Sequence, residues 1–114
     1  MFERCIYVLA FSDGVVKVGS TQPSRCTHRT KQHAHVKRRT GARVVGAFYT
    51  NPTIYGYGAE LQSVGRIAKY AQRVVGREWF QGVRFEQAIQ SVTQTIRRMA
   101  KKHAANIAAM TQPV

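Results

Sequence analysis

The residues with the most chemistry to offer sit in the first thirty positions: Tyr7 within Cys5-Ile6-Tyr7, Lys17 within Lys17-Val18-Gly19, then Ser20, Thr21 and a run of cations beginning at Arg25. A phenol, an ammonium and several guanidinium groups at that spacing suit the binding of a phosphodiester, and its cutting. Arginine is well matched to the task because its planar fork pairs bidentately with phosphate. Ser20 and Thr21 can donate hydrogen bonds where Gly19 lets the backbone approach a phosphate, and a helix starting there would add free N–H groups. His28, His33 and His35 follow, and imidazole at that level can contact phosphate or carry a proton. The step from His28 to His33 is not that of a helical zinc pair, and neither Cys nor carboxylate completes a metal set. Glu60 is the only acid in the second predicted helix. Each residue also has a plainer reading. Tyr7 can be a sheet aromatic, Lys17 a solvated edge-strand lysine, and Glu60 a helix N-terminal acid favoured by the dipole.

The whole chain favours an anionic partner. Eighteen Lys and Arg, twelve of them Arg, face five carboxylates, giving +13. Such an excess repels itself unless a polyanion or counterions compensate it. DNA is the expected partner and RNA the next; protein contact, a homodimer or anionic lipid are the competing uses of a basic surface. At 114 residues with 44% apolar content, the chain forms one domain over residues 1–104 with its own core. Two cysteines, Cys5 and Cys26, are too few for a disulfide framework. No apolar run approaches a membrane span, and no basic stretch leads into a signal-like segment, so a cytoplasmic protein is expected.

Local patterning supplies the elements. Cys5 to Phe11 reads as a strand, with Ile6 and Val8 on one face and Tyr7 and Leu9 on the other. Asp13-Gly14 signals a hairpin to a second strand, Val15 to Val18. Thr21 or Gln22 would cap a basic helix with Pro23 in its first turn, running to His33 or Val36. Arg43 to Thr50 is the third strand. Leu61, Val64, Ala68, Ala71 and Val75 suggest a second helix from Tyr57 to Val75. Gly76-Arg77 would end it, and Glu78 would stabilise a Trp79-Phe80 lock. Phe85, Ile89, Val92, Ile96 and Met99 form the stripe of a last helix, Arg84 to His103, followed by a fraying helical tail over residues 105–114. The expected fold class is α/β (α+β): a small three-stranded, mostly antiparallel sheet with flanking helices, ordered ββαβαα.

With these motifs in hand, Cys5-Ile6-Tyr7 followed by Lys17-Val18-Gly19 resembles the paired motifs of the GIY-YIG nuclease superfamily. It is most similar to the divergent phage and bacterial branch, where the second motif commonly begins with Lys. The likeness continues through Gly19-Ser20-Thr21, the basic helix, Glu60 and Glu78-Trp79-Phe80, about two-thirds of the chain. It implies that Tyr7 positions or deprotonates the attacking water, with Lys17 nearby as a cation. It implies an Arg on the first helix that stabilises charge on the phosphate, matched by Arg25 or Arg29, and a single Mg²⁺ or Mn²⁺ held by Glu60. It also implies residence in a bacterial cell as a phage-encoded protein.

These expectations converge on a metal-dependent DNA endonuclease with Tyr7, Lys17, Arg25, Arg29 and Glu60 at its centre. Ser20, Thr21, His28, Lys31, His33, Lys37, Arg38, Arg39, Arg97 and Lys101 would contact nucleic acid. Tyr49, Tyr55 and Tyr57 would either stack on a base or seal the sheet. The alternatives are a noncatalytic nucleic-acid-binding module on the same scaffold, or a phage protein that binds a host protein.

Overall fold

The computed structural model describes residues 2–111, and its elements run β1 (Cys5–Phe11), β2 (Val16–Thr21), α1 (Cys26–Arg38), β3 (Val44–Tyr49), α2 (Gly56–Ile67), β4 (Gln72–Val75), β5 (Trp79–Gln81) and α3 (Phe85–Thr111). The sheet has five strands in the order β3-β1-β2-β5-β4, and each neighbouring pair is antiparallel. The expected three-stranded ββαβαα fold is therefore corrected to ββαβαββα, with three helices.

The difference lies in residues 68–81. Helical spacing carried the second helix on to Val75, but α2 stops at Ile67 and Gln72–Val75 is a strand. Two adjacent β-branched residues, Val74 and Val75, favour the pleated backbone. Gly76 then takes φ +59°, a left-handed conformation that turns β4 back into β5. Shortening the helix also changes its buried face. Ala59, Ser63, Val64 and Ile67 are buried, whereas Leu61 and Val75 are 48% and 68% exposed.

β1 and β2 are interior strands and are covered on both faces, which explains why their residues are almost continuously buried. On one face Ile6, Val8, Val16, Val18 and Phe80 pack against Ala59, Val64 and Ile67 of α2 and Ala88 and Val92 of α3. The α3 stripe is as its spacing predicts, with Phe85, Ile89, Ile96 and Met99 on the same core. The opposite face carries Tyr7, Leu9 and Phe11 with Trp79 and Ala42. α1 crosses this second face without contributing one fully buried side chain. Polar contacts hold it: Tyr7 to His33, Thr30 to Tyr49, and Lys37 to Asp13 at 2.5 Å.

Two further boundaries shift. β2 continues through Gly19-Ser20-Thr21, so this run is strand and not helix entrance, and Gln22 occupies the cap before Pro23 without a side-chain cap bond. α3 continues as helix to Thr111, past His103, because Ala104, Ala105, Ala108 and Ala109 are strong helix formers. The end of the expected tail, residues 112–114, lies outside the described residues.

Candidate active site

β2 outruns β5. Only Val16 and Lys17 pair with β5, so Val18 to Thr21 leave a notch beside the sheet. Glu78, just before β5, sits at the mouth of that notch, and its carbonyl accepts from the Val18 amide at 3.0 Å. The notch joins the two faces of the sheet, and polar side chains from both meet there.

On the α2 side, Glu60 is 5% exposed and accepts a 2.6 Å hydrogen bond from Ser20 Oγ. Ser20 is itself held by Arg4, whose Nε donates to Oγ at 3.0 Å and whose Nη2 donates to the carbonyl at 2.9 Å. Burial, reinforced by a hydrogen bond with Glu78, pushes the Glu60 carboxyl up to about 7. Burial alone would also raise Glu78, but hydrogen bonds from Glu60 and Lys17 hold it below the usual carboxylate range. The two acids thus oppose each other's ionisation, and like charges so placed do not both ionise readily.

On the α1 side, Lys17 is 5% exposed, ion-paired with Glu78 and 5.2 Å from the centroid of the Trp79 ring. An interior-strand lysine so deeply buried requires a counter-charge, and Glu78 provides it. Tyr7 Oη lies 2.9 Å from His33 Nε2, and His33 packs edge-on against Trp79. Burial and the negative field of Glu78 raise the phenol to about 12, with Arg29 opposing. Burial, with Lys17 and Arg29 adding their charge, lowers His33 to about 4. The imidazole is therefore neutral at neutral pH, and its tautomer sets which group donates in the bond to Tyr7.

Gly19 has a different task from the one expected of it. It stands opposite Tyr7 across the β1–β2 pair, and a Cβ there would lie 2.3 Å from the Tyr7 hydroxyl and 2.4 Å from its ring carbon. The missing side chain is the seat of the phenol ring.

The structure thus brings together Tyr7, Lys17, Ser20, His33 and Glu60, with Arg29 half-buried at the edge and charging both Tyr7 and His33. Arg25 is exposed and takes no part in these contacts. Thr21 is 3% exposed and so is shielded from a phosphate in this conformation. His28, Lys31, Arg38 and Arg39 are exposed on or just after α1, and Lys37 is engaged with Asp13 and the Phe11 ring. Arg97 and Lys101 are exposed on α3, where Tyr55 also meets His103, 2.5 Å from hydroxyl to Nδ1.

Glu78, expected only to stabilise the Trp79-Phe80 lock, instead pairs with Lys17, and neither it nor Arg4 was among the expected site residues. The signal for Glu78 was available: a lysine between two valines on an interior strand needs an acid, and few acids exist. Nothing in the sequence ties Arg4 to Ser20.

Among the described residues no group of three or more His, Cys, Asp and Glu could hold a metal ion. The oxygen donors at the notch, Glu60, Glu78 and Ser20, nonetheless fit a hard divalent cation that keeps several waters. Such an ion would compensate the charge of both carboxylates. A cleft of about 410 Å³ opens onto both carboxylates, between α2 and the β4–β5 hairpin. No helix among the described residues is long and apolar enough to cross a membrane. No family model, no curated protein and no solved structure matches the chain.

Proposed function

We propose that the protein is a phosphodiesterase acting on DNA, an endonuclease of the kind the GIY-YIG resemblance implies. The observation that carries this reading is the convergence of Tyr7, His33, Lys17, Glu78, Glu60 and Ser20 on one notch of a strongly basic molecule. Buried ionisable groups with opposed shifts, gathered beside a cleft, are the usual signature of a reactive site.

With His33 in its Nδ1–H tautomer, Tyr7 donates to His33 Nε2 and the free lone pairs of its oxygen face any water beside it. That water is oriented as a hydrogen-bond donor to Oη and presents its own lone pair to phosphorus. A phenol raised to about 12 is not the ionised base at neutral pH, so Tyr7 positions the water. The water's proton passes to solvent as its P–O bond forms, while the bond to the leaving oxygen breaks and that oxygen is protonated from solvent. Arg29 approaches from α1, and Lys17 can turn from Glu78 toward a phosphate, each stabilising charge on the non-bridging oxygens. Glu60 and Glu78, with Ser20, would hold one Mg²⁺ or Mn²⁺, which would neutralise the phosphate and stabilise the leaving oxygen.

The test is cleavage of plasmid, linear and branched DNA with Mg²⁺, Mn²⁺ or EDTA by the wild type and by Glu60→Gln. Metal-dependent cutting that the variant loses supports the enzyme. Binding without cutting by either form would leave the nucleic-acid-binding module as the better reading.

A further inference from the structure

The cleft beside the carboxylates has features that hydrolysis at the notch does not call upon. Arg73 of β4 and Arg77 of the β4–β5 turn line it, and both are exposed. Among the described residues the ion pairs are Lys17–Glu78 and Lys37–Asp13, so neither arginine has an acidic partner. Glu60 and Glu78 bring at most two negative charges against the three positive charges of Lys17, Arg73 and Arg77, so the cleft as a whole is cationic.

Tyr57 rims the same cleft at 62% exposure, a large aromatic ring offered to solvent with Leu61 beside it. Gly65 forms part of the wall, in the interior of α2, where glycine weakens the helix. A Cβ at Gly65 would meet nothing within 4 Å, so no packing requires the glycine. Its effect is to leave the cleft wide.

We infer that this cleft is a nucleotide subsite for single-stranded nucleic acid, with a backbone phosphate on Arg73 and Arg77 and a base stacked on Tyr57. Paired cations along a groove with an exposed aromatic are the recurring means of holding an unpaired strand. A duplex keeps its bases stacked inside and cannot present one to Tyr57. The strand so held would run past Glu60 and Glu78. The inference rests on the proposed function for the identity of the ligand as nucleic acid, and not for its hydrolysis.

Binding of a labelled oligothymidylate of about ten nucleotides, followed by fluorescence anisotropy in EDTA, tests it beside a duplex of the same length. The double variant Arg73→Gln, Arg77→Gln should lose roughly tenfold or more in single-strand affinity, and its log–log salt slope should fall by about 1.4. Tyr57→Ala should weaken the single strand by roughly tenfold and Tyr57→Phe should not. Gly65→Leu, which fills the cleft without altering charge, should weaken it too. Wild-type affinity for the oligonucleotide in all of these folded variants would overturn the subsite, as would equal losses on duplex and single strand. If the variants lose the single strand but the wild type never cuts DNA, the subsite stands and hydrolysis falls. If the wild type cuts and the variants bind as it does, the subsite alone falls.

Discussion

Glu60 and Gly19 show how much hangs on single side chains here. The folded Glu60 carboxyl titrates near 7 against an ordinary 4.5, so the folded state holds more protons between those values. Stability from this group is complete below 4.5 and is lost as pH rises through about 7. Glu78 is depressed and acts in the opposite sense: its contribution is present above the ordinary value and is lost as pH falls through its lowered one. Glu60→Gln mimics the uncharged form and keeps an acceptor for Ser20 Oγ. It should therefore melt higher than the wild type above pH 7 and converge with it toward pH 5, by thermal denaturation across that range. A wild-type advantage at alkaline pH would show that Glu60 is not the protonated partner. Gly19→Ala drives a methyl into the Tyr7 ring and should cost about 1–3 kcal/mol in denaturant unfolding. Tyr7 and Glu60 were legible only through the order and spacing of short motifs. Glu78 was not, because an acid beside Trp79 and Phe80 looks like local punctuation until the buried lysine is placed opposite it.

The elements divide by how strongly local pattern specified them. β1 and the turn after it were legible because seven apolar residues, six of them β-branched, aromatic or small, precede an Asp-Gly pair. α3 was legible because its stripe keeps one period for four turns. β4 was not: Gln72–Val75 is exposed throughout, and Val64, Ala68, Ala71 and Val75 happen to sit three or four residues apart. Its strand character comes from pairing with β5, a tertiary effect. The cost of the misreading fell on function, because the β4–β5 hairpin carries Glu78, Arg73 and Arg77. α2 also yields a plain test. Gly65→Ala places a methyl in open space and should stabilise the fold by about 0.5–1 kcal/mol, measured by urea unfolding. Destabilisation would mean that α2 is not a continuous helix at that point.

At the scale of the molecule, charge dominates. A formal +13 with two ion pairs among the described residues leaves most cations facing water or one another. Screening relieves that repulsion, so the melting temperature should rise as NaCl is increased at fixed pH, and rise further with a polyanion that binds the folded state. A melting temperature that falls with salt would mean that favourable pairs outweigh repulsion. The central claim is the chemistry at the notch, and single-turnover nicking of supercoiled DNA in Mg²⁺ measures it directly as a function of pH. The account predicts a rate that rises with pH as Glu60 gives up its proton to Mg²⁺, with a midpoint that falls as Mg²⁺ is raised, and that is lost in Glu60→Gln. No cutting at any pH, or equal cutting by Glu60→Gln, would contradict it.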